Sequence, residues 1–153
     1  MRVPLEGGKA EPVAAPEVQD GTVMSLPGIS PDSETLGFFA LRHDSTTNRY
    51  VQEAIFVSAH AGGATPARIL EVEQRISGIA HFTPDGKALV YPITENEVDN
   101  LWLQPLDGKP GHLITHFTSE RIDGFAWSPD GKRLALQRGH TESDVILLRA
   151  TTK

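Results

Sequence analysis

Six histidines, twenty acidic side chains, scattered serines and no cysteine make up the chemically capable residues of this 153-residue chain. Their spacing decides what they can do together. His112 and His116 are four apart, which on a helix would put two ligands on one face. The segment around them reads as a strand, where four residues span roughly 13 Å, too far to share one ion. His43 has Asp44 beside it and His140 has Glu142 nearby, whereas His60 and His81 have no acidic or histidine neighbour. No metal site and no cofactor are expected from this pattern. A serine hydrolase needs a GxSxG elbow, and none occurs. Ser128 lies in a turn. Asp85 and Asp130 recur at one turn position, where a carboxylate bonds nearby backbone N–H groups, and that local role is preferred to ligand binding. Asp99, Asp123 and Asp144 precede apolar runs and are assigned the same local role at strand starts. Asp123 is also the one near candidate for a site on an innermost strand.

The elements that position these residues repeat. ISPDS at 29–33, FTPDG at 82–86 and WSPDG at 127–131 are each followed by a short apolar run. A second series, AIFVSAHAGG at 54–63, NLWLQPLDGK at 100–109 and DVILLRATTK at 144–153, follows in phase. The offsets are 53 and 45 residues in the first series, about 46 and 44 in the second, a period that marks a repeat architecture. Within a unit, an alternating strand leads into the turn. Pro31, Pro84 and Pro129 preset φ at the second turn position, Asp32, Asp85 and Asp130 suit the third, and Gly86 and Gly131 accept positive φ. The first unit has Ser33 there instead. Predicted strands are 23–29, 54–58 and 67–70 in the first unit, 76–82, 88–93, 101–105 and 112–116 in the second, and 122–127, 133–137 and 145–149 in the third. The polar stretches 42–53, 94–100 and 138–144 are expected as loops, the first the longest. Phe82, Trp102, Phe125 and Trp127 are assigned to the core between units.

Composition bounds the class. Hydrophobic residues are 39% and charged residues 22%, a globular balance. Fourteen glycines and eleven prolines interrupt every window long enough for a helix. Net charge is −6 and no basic run exceeds Lys132-Arg133, which argues against nucleic acid as a partner. No apolar stretch approaches the ~20 residues of a membrane helix. MRVPLEGGKAEPV has no apolar core, so no signal peptide is expected.

A four-stranded antiparallel meander repeated every 40–50 residues is the pattern of a β-propeller blade. At SPDGKRLAL and NLWLQPLDGK the chain resembles the TolB-type, WD-repeat-like propeller family. ITHFTSERIDGFAWSPDGKRLALQRGHTESDVILLR is similar to the C-terminal propeller of bacterial eukaryotic-like serine/threonine protein kinases. The resemblance implies an all-β fold of about three blades, a partial propeller or half of an oligomeric ring. It divides the chain into 1–19 (partial blade or closing strand), 20–71, 72–117 and 118–153, the last lacking its outer strand. It also implies a non-catalytic sensor or protein-interaction module, in the parent kinases an extracytoplasmic one. The kinase chemistry itself is absent: there is no GxGxxG loop, VAIK lysine, HRD loop or DFG, and Arg42-His43-Asp44 only scrambles one motif's letters. Because the family's propellers have more blades, the expected partner is a second copy. Two chains would complete a six-bladed ring, with 10–13 supplying the missing outer strand of the partner's third blade. A protein or peptide ligand is left unspecified, and the alternative is an enzyme with its site at the central channel.

Overall fold

The computed structural model describes residues 3, 6–11, 21–23, 28–59, 68–73 and 75–142. Among these residues there is no helix, and eleven strands form three antiparallel sheets. In the first sheet β1 (Gly21–Val23) and β2 (Gly28–Ile29) both pair with β3 (Thr35–Asp44), which continues to β4 (Arg49–Ser58) and β5 (Arg68–Glu71). The second runs β6 (His81–Phe82), β7 (Ala88–Glu95), β8 (Val98–Pro105) and β9 (His112–Leu113) in order. The third is the hairpin β10 (Arg121–Trp127) and β11 (Leu134–Gly139). Strand 145–149 of the sequence reading, with His60, Asp144 and the end of the closing strand at 10–13, lies outside the described residues.

The central sheet shows why these sequences form strands with two buried faces. Every residue of 88–93 is buried, as expected where both faces of a strand are covered. Leu89, Tyr91 and Ile93 point one way and join Phe39, Phe56 and Phe82 in the seam with the first sheet. Val90 and Leu101 point the other way and meet Ile122, Phe125, Trp127, Leu134 and Leu136 in the seam with the third. The two-residue period of a strand thus assigns alternate side chains to alternate neighbours. In the first seam Phe39 meets the Tyr91 ring edge-on at 5.2 Å and Phe56 meets Phe82 at 6.0 Å. Each large side chain so buried contributes about 1.5–3 kcal/mol. The Tyr91 hydroxyl accepts a hydrogen bond from the Glu73 backbone N–H at 3.3 Å, and burial pushes its pKa far above the ordinary phenol range.

Several expected boundaries move. The stretch 42–53 is not a loop: β3 and β4 stay paired from Thr35↔Ser58 to Asp44↔Arg49, leaving only 45–48 as the turn. A diagonal ion pair holds this extension, Arg42 Nη2 and Nε lying 2.8 and 2.9 Å from one Glu53 oxygen. Nor is 94–100 a loop. Its ladder runs to Glu95↔Val98, and Asn96 and Glu97, at φ 51° and 65°, form the two-residue turn. Two left-handed residues match the strand twist in such a hairpin. Likewise β11 takes the first two residues of 138–144. Conversely, strand 76–82 shrinks to His81–Phe82 plus a bridge at Ile76↔Ile93, offset by two residues from the β6–β7 register. Pro92 lies opposite this break. It has no N–H to give, and a Cβ on Gly78 would stand 2.6 Å from its Cγ. Strand 112–116 ends at Leu113, because Thr115 and Phe117 bond the Asn100 side chain instead of continuing the ladder.

Candidate functional site

Two faces of the stacked sheets carry the polar residues singled out from the sequence. On one face lie the three Ser/Thr-Pro-Asp turns, built alike. The hydroxyls of Ser30, Thr83 and Ser128 donate to Asp32, Asp85 and Asp130 at 2.5–2.6 Å. The same carboxylate oxygens accept from the backbone N–H of Glu34, Lys87 and Lys132 at 3.0–3.1 Å. The hydroxyls in turn accept from Thr35, Ala88 and Arg133 N–H at 2.9–3.0 Å. Each carboxyl is held below its ordinary pKa, first by the hydroxyl and then by the backbone donor. All three aspartates are thus engaged with their own turns. Ser33, Gly86 and Gly131 close these turns at φ 62°, 68° and 67°.

The turns also touch one another. A Cβ on Gly86 would sit 3.6 Å from Pro31 Cδ, and one on Gly131 only 2.7 Å from Pro84 Cβ. Each proline therefore leans on the glycine of the next sheet's turn. Beneath the first pair lies a cleft of about 530 Å³, lined by Ser30, Asp32, Phe56, Arg68, Asp85 and Leu106 among others.

The opposite face is made of the hairpin tips, and these differ. The β3–β4 hairpin extends furthest. Its tip is ordered by Asp44, which accepts from the Thr46 N–H at 2.9 Å and the Thr47 hydroxyl at 2.8 Å. Near that tip Tyr50, 67% exposed, meets the His43 ring edge at 5.1 Å, and His43 Nε2 is 3.2 Å from Asn48 Oδ1. Between the second and third sheets is a groove of about 300 Å³ lined by Glu97, Glu120, Arg121, Asp123, Gly139, His140 and Thr141. Asp123, the sequence candidate for an inner site, is exposed there. Arg138 beside it stacks 3.7 Å from the Phe117 ring centre, donates to the Ser119 carbonyl and lies 3.6 Å from Glu120.

Of the aromatic residues assigned to the core, Phe82 is buried, while Trp102, Phe125 and Trp127 are half-buried against the seams. His112 and His116 fall outside any shared site: His112 ends in an outer strand and His116 in the coil after it, both exposed. Among the described residues no group of three or more His, Asp or Glu converges as metal ligands would.

Asp99, assigned a local role at a strand start, reaches further than that. It is 2% exposed, and its carboxylate accepts from the Thr94 hydroxyl at 2.6 Å and the Ile122 N–H at 3.0 Å, while its own N–H donates to the Glu120 carbonyl at 3.1 Å. It bolts the second sheet to the third. An acid just ahead of the same apolar strand in two units, Asp99 and Asp144, is the one signal in the sequence.

No family model matches the chain. Over 80 residues it is 31% identical to a putative tricorn protease homolog 2 of Streptomyces coelicolor, a match covering 52% of this chain and 7% of that protein. The sheets superpose on TolB from Acinetobacter baumannii with a TM-score of 0.57 at 20% identity, over 74% of this chain and 26% of TolB. They superpose on the β-propeller domain of the trilobed protease from Pyrococcus furiosus with a TM-score of 0.54 at 16% identity, over 77% of this chain and 34% of that one. The chain therefore spans about a third or less of each protein it matches. The fold is that of β-propeller blades, here a partial propeller.

Proposed function

We propose that this chain is a non-catalytic protein-interaction or sensor module, a run of blades within a larger propeller or half of a self-assembled ring. One observation carries the reading. The repeated aspartates are tied into their own turns, whereas the hairpin tips of the other face differ from sheet to sheet. Constant scaffold with variable tips is how binding surfaces are commonly built. The Tyr50–His43 pair, with Tyr50 exposed, and the Glu97–Asp123 groove are then the contact points for a protein or peptide. Closure of the ring by a second copy, and attachment of such a module to a membrane kinase, extend this proposal.

The test is a peptide array probed with the full chain, followed by light scattering for its mass. Binding that Tyr50→Ala and Asp123→Asn weaken, with the fold intact, supports the reading. Binding unaffected by either variant refutes the placement, and a monomeric mass at micromolar concentration refutes the closed pair. A second reading is favoured by the tricorn-homolog match: the blades accompany a peptidase and guide its peptide. A channel enzyme would show instead as turnover of peptide substrates by the isolated chain, lost in Asp123→Asn.

A further inference from the structure

The seam between the second and third sheets contains a titratable side chain that neither the turns nor the tips use. His81 stands on β6 with its ring 4.7 Å from that of Phe125 on β10, at 67° between the planes. It is only partly exposed, and its ring contact within the protein is the aromatic one with Phe125. Phe125 belongs to the apolar cluster of Val90, Leu101, Ile122 and Trp127 that joins the two sheets. A neutral imidazole suits this setting. An imidazolium would set a charge in partial burial against the Phe125 ring and the aliphatic carbons around it.

We propose that this seam is a pH-sensitive joint, closed while His81 is neutral and loosened when it takes a proton. Nothing nearby offsets the charge. Val90, its cross-strand partner on β7, is apolar, and β2, which touches β6, carries no charged residue. The charged groups of the neighbouring elements are Asp85 and Lys87 in the turn, Glu95 at the end of β7, Arg121 and Asp123 in the first half of β10 and Arg138 near the end of β11, and none of them acts on His81. Asp99 on β8 is already engaged by two donors. Burial is the one cause acting on His81, and it holds the pKa below the ordinary 6.5. A group whose pKa is lower in the closed state binds its proton more readily in the open one. Closure is therefore favoured at neutral pH and lost as pH falls below 6.5.

The test is amide hydrogen exchange on the full chain at pH 7.5 and 5.5, corrected for intrinsic rates. Protection of 121–139 should fall roughly threefold or more relative to 88–105 in the wild type. It should stay level in His81→Leu and His81→Gln. An equal fall in the variants overturns the proposal. Should neither variant fold, the wild-type imidazole titration by NMR decides. A His81 midpoint below 6.5, with the Phe125 ring signals moving alongside, supports the joint, and a midpoint at or above 6.5 overturns it.

Discussion

Removing the Asp99 carboxylate is the sharpest perturbation of the seam between the second and third sheets. In Asp99→Ala two donors lose their acceptor. The Ile122 N–H is on a residue only 7% exposed, and its bond to the carboxylate is buried. The half-buried Thr94 hydroxyl can rotate toward solvent. A hydrogen bond to a charged group contributes about 1.5–3 kcal/mol, and a stranded buried donor costs about 1–3 kcal/mol. The Ile122 loss falls near the top of that range and the Thr94 loss near the bottom, so the variant should be about 3–5 kcal/mol less stable. That is a large share of the roughly 5–15 kcal/mol that holds an ordinary domain together. Urea unfolding followed by tryptophan fluorescence reads it, with Thr94→Val as the companion variant. Thr94→Val removes the other bond to the carboxylate, leaves the buried Asp99 Oδ1 without that donor, and should cost about 1.5–3 kcal/mol, less than Asp99→Ala. A loss under 1 kcal/mol in Asp99→Ala would mean that water already reaches Ile122, and the seam described above is not closed.

Three further expectations concern the turns and the tryptophan. Gly131→Ala should cost about 2 kcal/mol or more, since it adds the Pro84 collision to a left-handed φ, while Gly86→Ala should cost about 1 kcal/mol from φ alone. Ser33→Gly, at the equivalent place, should stabilise by up to about 1 kcal/mol; equal costs for the two alanines in thermal unfolding would remove the collision from the explanation. The turn carboxyls titrate below their ordinary 3.8, so their stabilising effect is full above that value and disappears as pH drops through the folded-state values. A melting-temperature profile between pH 5 and 2.5 should accordingly be shallower in the Asp85→Asn, Asp130→Asn double variant, and an unchanged slope contradicts the turn bonds. Trp127→Ala should cost about 2–3 kcal/mol, below the cost for a fully buried ring because Trp127 is half-buried. Trp127→Phe, which removes a buried indole N–H without a partner, should stay within about 1 kcal/mol by chemical denaturation.

The sequence made the turns readable because each one is a local structure. A hydroxyl, a proline, an aspartate and a left-handed residue sit within six positions, and neighbours in sequence are neighbours in space. The hairpin tips differ from the expected loops for the opposite reason. RHDSTTNRYVQE and TENEVD are polar, and polarity alone cannot separate a loop from a strand pair that projects past the core into water. Their pairing follows from cross-strand contacts such as Arg42–Glu53, which no single-strand pattern contains. Strand 76–82 failed at Pro92, a residue of the neighbouring strand. The reach of Asp99 beyond its strand start is hidden because its partner, Ile122, is 23 residues away and is a backbone N–H, invisible in side-chain letters.

The contact of one proline ring with the next glycine has a geometric consequence. Neighbouring sheets can tilt toward each other on that side only until ring meets backbone. The wedge angle between them, and with it the curvature of any longer stack, is limited at the rim by two small residues per step. The looser step at Pro31 and the tighter one at Pro84 would then set unequal angles, so the circumference such an array can close is adjustable without altering a single buried hydrocarbon.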